Sequence, residues 1–323
     1  MLYALPYKTK QFFFVLIKLS IVVGAFYFIY TKVAENKDLE FSVFIGFLTK
    51  NKVFSLKNML FLVILSIFNW FFEIIKWQQL VKSIRSISFF EALKQSLASL
   101  TASLITPNRI GEYGAKAIYF SKNYRKRILF LNLLGNISQM LITLLLGCVG
   151  LSYMIVNYNL EVDFFRISRI VLIFMLVAVL TVFGVKQNKF KIRGFTIERV
   201  KEFWLNIPNN IKVSTLVFSC IRYLIFSLQF YILLRLFAID VTYFRAMSVI
   251  TTMYLLASII PSIFIFDVIV KGSVAVYLFS LVGINEITIL SIILIMWILN
   301  TVLPSIIGSY FVINFNVYNN SPE

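Results

Sequence analysis

The stretch FFEALKQSLASLTASLITPNRIGEYGAKAIYF, Phe89 to Phe120, is too long for a loop and too polar for a helix that faces lipid. Pro107 cannot continue a helix, because it lacks an N–H and its ring crowds the preceding turn, and Gly111 relaxes the chain before helical spacing resumes. Two short helices joined at Pro107 are therefore expected. Ser96, Ala98, Ser99, Ala102 and Ser103 are small enough to let another backbone come close. Irregular backbone survives at membrane depth only where protein or a wet cavity satisfies it, so the spacing predicts a re-entrant hairpin over 89–120. A second stretch, YFRAMSVITTMYLLASIIPSIFIFDVIVKGSVAVYLF, Tyr243 to Phe279, repeats the plan: Phe244, Ala246 and Met247 precede Pro261 as Phe90, Ala92 and Leu93 precede Pro107. Each proline leads to an acid, Glu112 or Asp267, and each acid to a lysine four residues on, Lys116 or Lys271. The second hairpin is placed at 243–282.

Around these segments the chain is membrane material. Of its 323 residues only 14% are charged and 60% are AVILMFWYC. Soluble proteins carry about 25% charged residues, and so little polar side chain cannot cover a water-facing surface. A helix needs about 20 apolar residues to cross the hydrocarbon. The stretches 12–31, 58–76, 128–157, 167–185, 214–235 and 287–312 qualify as six spans, the first of them lacking a convincing cleavage site and expected to be retained.

The net charge of +17 is explained by position, without nucleic acid. Lys76 to Arg127 holds ten basic residues against Glu91 and Glu112, and Lys186 to Lys212 holds seven against Glu198 and Glu202, which puts both segments in the cytoplasm. Asn159 to Arg169 has no excess of either sign and fits the far side. The loop Lys32 to Lys57 disagrees, with five lysines where the outside is expected. Both termini are then cytoplasmic. The fold expected is an all-α polytopic membrane protein forming a single integral domain over 1–323. A first repeat at 58–157 and a second at 214–312, joined by the span 167–185, have opposite orientation, an inverted repeat of the kind whose substrate site lies at the repeat interface.

The chain has no histidine, which removes the usual general base, the usual triad and the commonest zinc ligand. Cys148 and Cys220 lie in apolar runs and read as core packing. No metal, cofactor or catalytic residue is expected. The binding candidates are Pro107, Arg109, Gly111, Glu112, Lys116, Arg222, Pro261, Asp267 and Lys271. Acid and lysine four apart could pair on one helix face, worth about 0.2–0.5 kcal/mol. Alternatively they line a cavity, since a charge within a span costs about 2.5–3.5 kcal/mol and usually has a functional partner. There, helix N-termini, Arg109 and the lysines would attract a phosphate. Arg222, in the middle of its span, needs Asp267 or a substrate phosphate as partner. Glu73 and Lys76 read as interfacial, and Asn300 with Pro304 as a break in the last helix. The run SKNYRKR, 121–127, is a topology signal that also holds anionic lipid, and FTIERVKEFWLNI, 195–207, fits a helix along the inner interface.

In ITPNRIGEYGAKAIYF the residues Pro107, Arg109, Gly111 and Glu112 resemble the signature of the lysylphosphatidylglycerol synthase and flippase-like transmembrane family: proline, a short turn, Gly-Glu, then a helix. The resemblance runs from about Phe12 to Ile313. In the second half Pro261 is kept, Asp267 stands in place of a glutamate and the family's glycines are gone. The resemblance implies lipid translocation or related lipid handling in the bacterial inner membrane. It does not imply synthase activity, because no counterpart of the founding members' soluble aminoacyl-transferase domain is expected. A lipid flippase or headgroup transporter is the expected function, with a non-transporting scaffold of envelope biosynthesis and an intramembrane enzyme as alternatives. The expected partners are membrane lipids with anionic phosphate headgroups, a homo-oligomer being left open.

Overall fold

The computed structural model describes residues 55–104, 106, 110–158, 197–259 and 267–315, with Val23 and Gly46, but not the side chains of 197–201 and 267–270. The expected spans 12–31 and 167–185, with Pro107, Arg109, Pro261 and the side chain of Asp267, lie outside the described residues. Every described element is helical: α1 (Leu56–Val81), α2 (Phe89–Leu104), α3 (Ile110–Ile118), α4 (Arg125–Tyr158), α5 (Ile197–Asn206), α6 (Asn209–Leu236), α7 (Tyr243–Ile259), α8 (Asp267–Ser280), α9 (Glu286–Trp297) and α10 (Leu303–Ile313). A single π turn, Ile298–Val302, joins α9 to α10. Local chemistry sets several of the boundaries. Ser88 and Glu91 form a capping box at α2, the Glu91 carboxylate accepting from Ser88 N–H at 2.8 Å and the Ser88 hydroxyl from Glu91 N–H at 3.1 Å. Asn285 caps α9 by accepting from Ile287 N–H, two residues after Gly283 turns the chain at φ +78°.

Among the described residues α1, α4, α6 and the continuous α9–α10 helix are long and apolar enough to cross a membrane. Their burial is inside out compared with a soluble helix. α1 exposes Phe61, Ile64, Ile67, Phe68 and Phe71 and buries Ser66, Asn69, Glu73 and Lys76. α4 likewise exposes Leu133, Ile137, Met140, Leu144 and Val149 while burying Asn132 and Ser138. Cys148 is exposed and Cys220 half-buried, so neither packs the core as their apolar surroundings suggest; an apolar run in a span also supplies its outward face.

Each expected hairpin is a pair of short helices, α2 with α3 and α7 with α8, and each pair packs together. The first helix of each pair also lies antiparallel against a long helix, where glycine permits the contact. A Cβ on Gly308 of α10 would stand 2.2 Å from the Leu97 carbonyl oxygen of α2, and one on Gly147 of α4 would stand 2.4 Å from Leu255 Cβ of α7. Gly111 lets α3 cross the end of α2, where a Cβ would meet the Ala102 carbonyl oxygen at 2.5 Å. α1 and α6 pair antiparallel along their lengths, Leu62 opposite Gln229 and Glu73 opposite Arg222. One apolar core lies among α6, α7, α8 and α9, centred on Phe230 stacked on Phe279 at 5.4 Å. A second gathers Trp77, Leu80, Ile128 and Leu131 with Ile207 and Ile211.

Asn300 and Pro304 do not break the last helix. Pro304 has no N–H for the Asn300 carbonyl, and the π turn shifts the Leu303 N–H onto Ile298. The released carbonyls find donors on α1. Ser66 Oγ donates to Leu299 O at 2.6 Å, and the Trp70 indole N–H donates to Asn300 O at 3.0 Å. The helix therefore continues through its proline with its polar backbone satisfied.

Candidate functional site

α1 supplies the spine of the site. Ser66, Asn69, Glu73 and Lys76 recur at three- and four-residue spacing, so they fall on one helix face and turn together into the protein. Glu73 Oε2 accepts from Lys76 Nζ at 2.6 Å and from Arg222 Nη1 of α6 at 2.8 Å. Lys76 is 2% exposed, and its aliphatic stem reaches α4, where a Cβ on Gly135 would lie 3.8 Å from Lys76 Cε. Arg222 stands near the middle of α6, and its Nε donates to Asn69 Oδ1 at 3.0 Å.

The first hairpin brings a second pair beside the first. Lys116 of α3 donates to Glu112 Oε1 at 2.8 Å and to Asn132 Oδ1 of α4 at 2.7 Å, with its ammonium 4.3 Å from the centre of the Trp77 ring. The Trp77 indole N–H is directed away, to Gln95 Oε1 of α2 at 2.8 Å. Lys76, Lys116 and Arg222 thus face Glu73 and Glu112, and these five charges sum to +1. The Asn132 amide nitrogen, beside Lys116, has no partner among the described residues.

A relay of amides runs from Arg222 to the π turn, and the guanidinium fixes its direction. Arg222 can only donate, so Asn69 presents its oxygen to it and its nitrogen to Asn300 Oδ1 at 2.8 Å. Asn300 Nδ2 then donates to Gln229 Oε1 at 2.9 Å, and Gln229 Nε2 to the Leu62 carbonyl at 3.0 Å. Any reversed amide would set donor against donor, so the charged pair and the π turn share one hydrogen-bonding arrangement.

Glu112 and Lys116 do pair, but in the interior, Lys116 being 2% exposed, and not on a wet helix face. Glu73 and Lys76, expected at the interface, are buried within the protein. The sequence places them near the end of a span, yet α1 runs on to Val81 and α2, α4 and α6 cover that end. Arg222 takes Glu73, with Asn69, as its partner, where Asp267 or a phosphate is expected from sequence. Gly111 serves the α2–α3 crossing. Lys271 is half-buried on α8, whereas Arg109, Pro107, Pro261 and the Asp267 side chain lie outside the described residues. Sequence reading omits Asn69, Gln95, Asn132 and Gln229 from the site. Polar residues at helical spacing within an apolar span, as in Ser66, Asn69, Glu73 and Lys76, are the signal that finds the α1 group.

No curated protein and no solved structure matches the chain. The family model described as the lysylphosphatidylglycerol synthase TM region matches residues 15–308, a range that contains both hairpins and every charged residue of the site. The chain is a multi-pass membrane protein that belongs to the lysylphosphatidylglycerol synthase TM region family.

Proposed function

We propose that this protein carries the headgroup of an anionic lipid across the bacterial inner membrane, holding its phosphate at the cluster of Arg222, Lys76 and Lys116. The observation that carries the reading is the +1 balance of these five charges among the described residues, next to an Asn132 amide nitrogen with no partner among them. A phosphate monoanion completes that balance, and guanidinium, ammonium and amide N–H groups are its natural donors. In this reading the hairpins α2–α3 and α7–α8 are re-entrant, both termini face the cytoplasm, and the carrying motion occurs between two inverted halves.

The packing supports the inverted halves. Thr251 and Leu255 of α7 meet Gly147, while Leu97 and Thr101 of α2 meet Gly308, and one offset of 154 residues relates both members of the hairpin pair. α1 and α6 would be counterparts, and counterpart spans of an inverted repeat must run antiparallel, as these do.

The test is translocation of labelled lipids in liposomes. Wild-type protein should move phosphatidylglycerol faster than phosphatidylcholine, and Arg222→Gln should abolish the difference. Equal rates for both lipids, or an Arg222→Gln variant as selective as wild type, would overturn the reading. A static scaffold in lipid or envelope biosynthesis is the second reading, favoured by the closed pairing of Glu73 with Lys76 and Glu112 with Lys116. It predicts no translocation of any lipid.

A further inference from the structure

On the neighbouring face of α6, about 100° round from Arg222, lies an uncharged polar group that the charged cluster does not use. Ser219, Tyr223 and Ser227 recur every four residues along α6 and are 0%, 5% and 1% exposed. None of their three hydroxyls has a hydrogen-bond partner among the described residues, and the same holds for the Tyr254 hydroxyl of α7 and Gln139 Oε1 of α4. Several buried helix hydroxyls donate to the carbonyl four residues back, Ser138, Thr215, Thr252 and Ser309 among them. Ser219 and Ser227 do not, and nor do Ser96 and Ser291, but at α6 the unpaired groups cluster. The five atoms come from three helices that pack on one another. Gln139 Nε2 donates to the Ser219 carbonyl at 3.3 Å, and the rings of Tyr223 and Tyr254 meet edge to face at 5.9 Å. Ser227 neighbours the Tyr223 hydroxyl, with no hydrogen bond of normal geometry between them.

An unpaired buried hydroxyl costs about 1–3 kcal/mol, and hydroxyls on facing helices can be satisfied together by a molecule that both donates and accepts. We infer that the α4–α6–α7 junction is an internal water site, a short file of waters along about 12 Å of α6, with Gln139 and Ser219 at one end and Tyr223, Ser227 and Tyr254 at the other. The comparison within the molecule supports this. Gln139 precedes Gly147 by eight residues as Asn300 precedes Gly308, and Asn300 is bonded directly to Asn69, Gln229 and Ser66. The junction of α1 with the π turn is closed by protein groups, whereas at that of α6 with α4 and α7 the hydroxyls turn to exchangeable water beside the direct bond from Gln139 to the Ser219 carbonyl. The water site stands whether or not the protein moves lipid.

Radiolytic hydroxyl-radical footprinting of the full-length protein in detergent, read by mass spectrometry, tests it, because radicals form at bound water and label the side chains beside it. Tyr223 and Tyr254 should be modified at least about fivefold faster than Phe230 and Phe279, which are both 1% exposed in the adjoining core. In the Ser219→Ala/Ser227→Ala variant, which shortens two side chains without adding bulk, labelling of Tyr223 should fall several-fold. Tyrosine labelling no faster than that of the two phenylalanines overturns the inference. So does labelling of Tyr223 that is unchanged in a double variant with wild-type elution and thermal unfolding. If the double variant does not fold, the wild-type ratio of tyrosine to phenylalanine labelling decides alone.

Discussion

Replacing Glu73 by Gln should be the most damaging isosteric change in the charged cluster. One carboxylate oxygen serves both Lys76 at 2.6 Å and Arg222 at 2.8 Å, so the substitution strips the counter-charge from two cations at once. Lys76 is 2% exposed. Removing one partner of a buried pair costs about 3–5 kcal/mol, because the remaining charge stays in a poor solvent. Arg222→Gln leaves Glu73 paired with Lys76 and removes chiefly charge-assisted hydrogen bonds, about 1.5–3 kcal/mol. Lys76→Met keeps the aliphatic stem against Gly135 and leaves Glu73 with Arg222, so it should cost least. The expected order is Glu73→Gln, then Arg222→Gln, then Lys76→Met. The first two should differ by about 2 kcal/mol, roughly thirtyfold in the unfolding equilibrium. Unfolding by dodecyl sulfate in mixed micelles, followed by tryptophan fluorescence, would measure it, since Trp70 and Trp77 flank the cluster. If Glu73→Gln costs no more than Lys76→Met, the cations do not depend on Glu73 and the electrostatic account of the site is wrong.

Four further outcomes are expected. Gly111→Ala should destabilise by about 1–3 kcal/mol through its clash with the Ala102 carbonyl, whereas Gly114→Ala, with nothing within 4 Å, should gain about 0.5–1 kcal/mol; thermal unfolding in detergent compares them. Asn300→Leu strips partners from Asn69, Gln229 and Ser66 and should cost several kcal/mol, while Asn314→Leu, at an exposed helix end, should cost under about 0.5 kcal/mol by the same measurement. Glu112→Gln takes the counter-charge from Lys116 but leaves its contacts with Asn132 and Trp77, so it should cost less than Glu73→Gln, which strips two cations, while translocation in liposomes at equal membrane abundance falls; unchanged translocation would make the pair structural. With the native cysteines replaced, cysteines at Lys126 and Asp240 should react with an impermeant thiol reagent from opposite faces of the membrane.

The parts of the fold legible in the sequence are those set by local chemistry. Apolar length marks the four described spans, and Pro107 and Pro261 lie in the intervals that separate α2 from α3 and α7 from α8. The need of Arg222 for a partner was also legible, because a mid-span guanidinium requires one. The partner was not. Glu73 lies 149 residues away, and only the antiparallel register of α1 against α6 brings it within 2.8 Å. Pro304 misled for a related reason. Alone it signals a break, but Ser66 and Trp70 of α1 take up the carbonyls it releases, and no local pattern reports donors more than 200 residues distant. Cys148 misled because a lipid-facing position and a core position are equally apolar in sequence.

The numerical offsets within the chain bear on the inverted repeat in a way that neither composition nor the hairpin motif does. α1 and α6 begin 153 residues apart, and α2 and α7 begin 154 apart. α4 and α9 begin 161 apart, and so do Gly147 from Gly308 and Gln139 from Asn300. The offset therefore grows by seven between the hairpin and the span that follows it, and α8, at 14 residues against 9 for α3, supplies much of that growth. Gly147 and Gly308 each stand 22 residues beyond the first residue of their helix, so residues added before α9 leave unchanged the face that Gly308 presents. Gly308 can then meet α2 as Gly147 meets α7. That constancy supports the proposed duplication, whose second unit would carry the added residues between α7 and α9.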